Sequence, residues 1–308
     1  MELFIEKEFL EDFYIDFDST YIQNIVKSII TNYGDKRVFV NYNINEFELL
    51  KSENEFFALI SNTTVPVPIN DFEASVKKSN CIQTLVFTKK EELWHNEMEQ
   101  KGAWCFSFEN YQAKIKSLID QIHFKLDLSN GFNNWNVLDF SEIPFNHLQI
   151  TDGYILKDEQ NIKENLMPLI ASFVHSEKEK ITIDLLVKEV GFKTATEEKK
   201  KEFAEKQHRK LNSKFSKLIN MKIYLSNLIS EIDLHDRTVI TNFSVLDSGV
   251  GFSLIGRKTS NSQMISESIF EKYTYDRLRR LRGLQQKYID KLNSDTFQSL
   301  KFYKYPFK

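Results

Sequence analysis

The sequence predicts an α/β protein, and three observations carry that reading. Short apolar runs alternate with segments whose apolar residues recur at helical spacing. The helical segments are long enough to cross between parallel strands, which favours layers of helix and sheet. At 308 residues and 41% hydrophobic content, with 26 phenylalanines, the chain is long and apolar enough to pack a core. That length suits two domains of about 150 residues each, or one large one.

In the first half, Asp18-Ser19-Thr20 offers a helix N-cap, and Ile22, Ile25, Val26, Ile29 and Ile30 follow at helical spacing until Asn32-Tyr33-Gly34 stops the pattern. A short buried strand is expected at Lys36–Asn41, then helices at Asn45–Leu59 and Asp71–Lys78. A strand at Ile82–Phe87, a helix at Lys90–Gln100, a strand at Ala103–Phe108 and a helix from Glu109 to Ile122 complete this half. From about Leu126 to Asn146 the chain is rich in Asn, Gly and Pro, which marks a connection. The expected domains are therefore residues 1–140 and 147–308.

The second half opens with a strand, Leu148–Leu156, bent at Gly153, and a helix, Gln160–His175, with an apolar stripe of Ile162, Leu166, Leu169, Ile170 and Phe173. A strand at Ile181–Val187, a long basic helix at Glu197–Ile219 and a strand at Met221–Asn227 follow. The strand around Leu234–Asn242 is expected to pair with Val250–Ile255, and a last helix to run from Ser266 to Leu292.

Composition narrows the function classes. The only two cysteines, Cys81 and Cys105, form no Cys-x-x-Cys pair, which suits core filler in a reducing cytoplasm and argues against a disulfide scaffold or a structural zinc. No metal or cofactor is expected. The opening Met1–Glu8 lacks a basic and then apolar leader, and no long uncharged apolar run occurs, so neither export nor a membrane span is expected. The net charge of −3 hides a division: residues 1–150 carry 13 basic and 23 acidic side chains, residues 151–308 carry 28 and 21. A basic second half implies an anionic partner, or attraction between the halves or to a second subunit.

The sharpest motif is Leu234-His235-Asp236-Arg237-Thr238-Val239-Ile240-Thr241-Asn242, followed by Gly249-Val250-Gly251. Its spacing, His-x-Arg-x4-Asn-x6-Gly-x-Gly, resembles the phosphodiesterase signature of the phospholipase D-like superfamily, with Arg for Lys and Asn for Asp. The resemblance implies a layered mixed sheet flanked by helices, and a site in which His235 attacks phosphorus, Arg237 holds phosphate oxygens and Asn242 orients the imidazole. Side chains alternate along a strand, so His235 and Arg237 share a face, whereas Asn242 joins them only through a turn at Asn242-Phe243-Ser244. Arginine grips phosphate through a planar fork. An amide in place of the carboxylate supplies no charge to steady an imidazolium, so binding survives such a change better than turnover does.

Enzymes of this superfamily bring two signatures together. A second match, His123-Phe124-Lys125 through Asn130, follows a helical stretch and has no glycine pair after it, so a homodimer presenting two copies of His235 is the better route to catalysis. The His-Asp-Arg triplet, the Asp152-x-Tyr154-Ile155 strand before an apolar helix and the Gly-x-Gly-Phe segment further resemble the MIT C-terminal domain family over about residues 147–290. Members share the phospholipase D-like fold and are regarded as non-catalytic modules, so this resemblance implies binding.

Two basic clusters complete the site list. Arg277, Arg279, Arg280 and Arg282 lie with Tyr273 and Tyr275 on the last helix, a composition suited to phosphate contacts. The helix bearing Lys199, Lys206, Arg209, Lys210 and Lys214 interleaves them with Glu198, Glu202 and Glu205, as a solvated face does. The expected role is a binding or assembly module that contacts nucleic acid or a nucleic-acid-processing partner. The alternative is a dimeric phosphodiesterase or nuclease working through His235, and a third reading is a structural subunit using the acidic half.

Overall fold

The computed structural model describes residues 1–13, 19–174, 181–188, 196–215, 219–226, 237–257 and 262–293. The chain forms two compact units: residues 1–120 with 144–146 and 269–275, and residues 121–143 with 147–268 and 276–308. Together they give an α/β protein with a parallel five-stranded sheet and a mixed seven-stranded sheet, both flanked by helices.

The first unit runs β1 (Glu2–Ile5), α1 (Lys7–Asp12), α2 (Tyr21–Asn32), β2 (Arg37–Val40), α3 (Phe47–Glu53), α4 (Glu55–Thr63), β3 (Val67–Pro68), α5 (Phe72–Lys77), β4 (Thr84–Thr88), α6 (His95–Gln100), β5 (Trp104–Ser107) and α7 (Tyr111–Ile122). Its strands are ordered β3-β2-β1-β4-β5 and all parallel. Crossover helices cover both faces, because strands buried on both sides need apolar neighbours on both. Phe4, Val86 and Cys105 pack against Val76 of α5 and Met98 of α6. On the opposite face Phe87 meets Phe9 of α1 at 5.2 Å between ring centroids.

The N-cap expected at Asp18-Ser19-Thr20 is Thr20, and it forms a capping box: its hydroxyl accepts from Gln23 N, and the Gln23 side chain accepts from Thr20 N. The single helix expected over Asn45–Leu59 is instead two, α3 and α4. Asn54 interrupts it by leaving helical geometry to cap α4, its Oδ1 accepting from Phe57 N at 2.8 Å. Both cysteines are buried, and burial pushes the Cys105 thiol well above its ordinary value.

The second unit contains β6 (Phe124–Asp127), β7 (His147–Thr151), α8 (Glu159–Asn161), a π-helical turn at Ile162–Leu166, α9 (Met167–Ala171), β8 (Ile181–Lys188), α10 (Glu197–Phe215), β9 (Ile219–Ser226), β10 (Thr238–Ile240), β11 (Ser244–Ser248), β12 (Gln263–Ser268) and α11 (Lys272–Asn293), whose first turn clusters with the first unit. Strand order is β6-β12-β11-β10-β7-β8-β9, with β7, β8 and β9 parallel and the remaining pairs antiparallel.

One face of this sheet is apolar, with Leu148, Ile150, Ile183, Leu185 and Val239 buried. The other buries Gln149, Thr151, Asp184 and Thr238. Helix α11 lies over this polar face: Gln285 Nε2 donates to Thr151 Oγ1 at 3.0 Å, and Arg277 forks onto Asp247.

Three expectations for this unit fail. The strand expected over Leu148–Leu156 ends at Thr151, and residues 153–156 form a turn. The partner of β10 is β11, not Val250–Ile255, which forms only an isolated bridge from Ile255 to Phe132. Residues from Ser266 begin no helix; they finish β12, and α11 starts at Lys272. The tight Thr241–Ser244 connection, with Thr241 N donating to Ser244 O at 3.0 Å, turns the chain earlier than the glycines do. Among the described residues no helix is long and apolar enough to cross a membrane.

Candidate functional site

The site forms where β7 ends. Asp152 follows that strand and is 1% exposed, so its carboxylate must be hydrogen-bonded or neutralised. Its Oδ1 accepts from Tyr154 N at 2.8 Å and its Oδ2 from Phe252 N at 2.7 Å, which ties the chain after β7 to the chain after β11. Burial raises the Asp152 pKa, while the two backbone donors and the charges of Arg237 and Arg257 work against that rise.

Arg237 precedes β10 and is half-buried, its carbonyl accepting from Ser248 N at 3.1 Å. Its guanidinium lies over the Tyr154 ring, 5.8 Å from the centroid, within cation–π range. Tyr154 is 42% exposed, so this ring beside the cation stays accessible to solvent. The exposed Arg257 donates to Val250 O at 3.3 Å.

Gly251 completes the cradle. It has φ +84°, its N–H donates to Ser248 O at 3.0 Å, and Ser248 Oγ donates to Gly251 O at 2.6 Å. A Cβ here would fall 2.8 Å from Asp152 Oδ2 and 2.9 Å from Arg237 Cδ. Both the backbone conformation and the close approach therefore require glycine. Gly249 has nothing within 4 Å of a built Cβ and serves only the turn.

Behind the cradle runs a relay of amides. Asn161 Nδ2 donates to Ile155 O at 2.7 Å, and Asn165 Nδ2 donates to Asn161 Oδ1 at 2.9 Å. Asn165 Oδ1 accepts from Leu254 N and Ile255 N, both at 2.9 Å, and from Trp135 Nε1 at 3.3 Å. The two asparagines stand on and beside the π-helical turn, a feature frequent near functional sites. Asn161 and Asn165 build the site without having been singled out in the sequence. Their signal is an Asn-x-x-x-Asn pair among apolar stripe residues.

The motif residues do not all converge. Asn242 sits in the β10–β11 turn, fully buried, where its Oδ1 accepts from His147 N at 3.0 Å. Arg237 and Asn242 flank opposite ends of β10, five residues apart in sequence, or about 16 Å along an extended strand. His235 lies outside the described residues, as does the aromatic tail Phe302–Phe307. At the Asn242 end, His147 Nε2 meets Asp184 Oδ2 at 2.9 Å. Burial, aided by the charge of Asp184, pushes the Tyr224 hydroxyl up.

The arginine cluster is divided. Arg277 is committed to Asp247, and Arg282 donates to Thr241 O at 2.7 Å, burial lowering its guanidinium to about 10. Arg279 is half-buried, and Arg280 is exposed. On α10, Lys206 and Lys210 both pair with Glu159 of α8, at 2.5 and 2.9 Å, rather than with the interleaved glutamates, while Arg209 meets Glu205 at 3.8 Å in the expected i,i+4 manner. His123 is held structurally: its Nε2 accepts from Ser268 N at 3.0 Å.

Among the described residues no group of three or more His, Cys, Asp or Glu is placed to hold a metal ion. The chain matches no family model and no curated protein sequence.

Proposed function

We propose that the second unit is a phospholipase D-like module that binds anionic partners, nucleic-acid backbone above all, through the cradle of Arg237, Tyr154, Gly251 and Arg257. The observation that carries this reading is the pre-set guanidinium of Arg237. It lies over the ring of Tyr154, which is 42% exposed, and its charge and that of Arg257 both act on the buried Asp152 carboxylate. A planar fork matches phosphate oxygens, and an open ring suits a stacked base. A non-catalytic role is favoured over the dimeric phosphodiesterase because Asn242 is spent on His147 N at the far end of β10 from Arg237.

The test is a salt titration of single-stranded and duplex DNA binding by the wild type, Arg237→Ala and Arg257→Ala. Affinity that falls with salt and weakens in both variants supports the reading; no binding even at low salt overturns it. Nuclease and phosphodiester assays of wild type and His235→Ala decide the enzyme alternative, since turnover abolished by that substitution would establish catalysis.

A further inference from the structure

We propose that the first unit binds an organic cation, an ammonium or guanidinium on a hydrocarbon stem, in a pocket walled by α1, α3 and α4. The pocket encloses about 490 Å³ and is lined by Leu10, Glu11, Phe13, Leu50, Glu53, Asn54, Glu55 and Phe56. That volume lies within the ~300–1,000 Å³ range of small-molecule sites.

The lining divides into a floor and a rim. Leu10, Phe13, Leu50 and Phe56 are buried, and the Phe13 and Phe56 rings meet edge to face at 4.9 Å. Such a floor takes a hydrocarbon stem, and a ring face attracts a cation. Glu11, Glu53 and Glu55 are exposed at the rim, and no Lys or Arg is among the described lining residues. None of these three carboxylates forms an ion pair among the described residues, whereas nearby acids do: Glu46 pairs with Lys7 at 3.7 Å, and Asp12 pairs with Lys89. Three uncompensated negative charges around an apolar floor disfavour an anion or a neutral oil and select a cation with an apolar body.

Asn54 has its Oδ1 engaged in capping α4, so it fixes the pocket wall and leaves recognition to the carboxylates.

Calorimetric titration of the full chain with spermine, and separately with a capped Leu-Arg-Leu peptide, tests the proposal. The triple variant Glu11→Gln/Glu53→Gln/Glu55→Gln is compared with the exposed control triple Glu109→Gln/Glu198→Gln/Glu202→Gln, which changes net charge equally. The expected result is binding that weakens about tenfold or more in the pocket triple and within about twofold in the control, as a localised rather than general charge effect requires. Spermine binding alone assigns a free polyamine, and peptide binding alone assigns a polypeptide side chain. Binding of neither probe, or an equal loss in both triples, overturns the proposal. The outcome is independent of the DNA-binding test on the second unit.

Discussion

The two ends of strand β10 bear different loads. At one end Arg237 is half-buried beside an exposed ring, a second arginine and a carboxylate in a costly setting. At the other end Asn242 is fully buried, Thr241 and Ser244 share a hydroxyl contact at 2.7 Å, and Arg282 closes onto Thr241 O. Under the proposed function the first end holds the recognition groups, while the second commits Thr241, Asn242 and Ser244 to a turn. A pattern of residues that reads as one motif in sequence is, in space, divided between the two ends of a short strand.

The largest effect expected is at Gly251. Gly251→Ala forces a Cβ against Asp152 Oδ2 and Arg237 Cδ at positive φ, so a loss of about 3 kcal/mol in chemical unfolding is expected, with weaker DNA binding. Gly249→Ala, two residues away in open space, should change stability by less than about 0.5 kcal/mol. Equal losses at both glycines would erase the distinction between cradle and turn.

Next in size is Asn242→Ala, which leaves the His147 N–H without its acceptor and should cost about 1–3 kcal/mol, with DNA affinity unchanged once the protein is folded. Asn242→Asp restores the carboxylate of the superfamily signature. It should create no phosphodiesterase activity and should lower stability, because the position is fully buried. Turnover gained by that variant would unite the two ends of β10 into one site.

Arg237→Ala should act in the reverse sense. We expect DNA affinity to fall about tenfold and the salt dependence to drop by about one phosphate contact. Unfolding free energy should change by less than about 1 kcal/mol, since the side chain is half-exposed. A large stability loss with intact affinity would mark Arg237 as structural.

The smallest effect is a slope. Asp152 has its pKa raised above the ordinary 3.8, mainly by burial, so the folded protein holds that proton more tightly than the unfolded chain. Its contribution is fully present below the unfolded pKa and is lost as pH climbs from there to the raised folded value. Arg237→Ala removes a charge that lowers this pKa and should extend the decline to higher pH, whereas Asp152→Asn should flatten it. Denaturant melts across the acid range read both.

The α/β class was legible in the sequence because it rests on local periodicity: α2, with its capping box and five buried apolar residues, stands where the pattern places it. Strand β1, the centre of the first sheet, escaped because Leu3-Phe4-Ile5 is a run of only three apolar residues between Glu2 and Glu6. Parallel pairing with β2 and β4, far along the chain, makes it a strand, and no local signal carries that. Strand β12 was hidden similarly, since Gln263-Met264-Ile265-Ser266-Glu267-Ser268 alternates too weakly to outrank the helix after it. At the site, Arg237 and Gly251 were legible from spacing. The separation of Asn242 was not, because it depends on where the chain turns: the hydroxyls of Thr241 and Ser244 set that turn, while the more visible glycines do not.

One amide oxygen, Asn165 Oδ1, gathers donors from Leu254, Ile255 and Trp135, three points supplied by two distant stretches of chain. Sequence drift in either stretch is therefore unequal in its effects. Side chains that face outward can be exchanged freely, whereas a change in the length of either loop must keep its attachment to this atom, two donors in one stretch and one in the other. The rim of the cradle can thus vary while a single inward-facing asparagine keeps its shape.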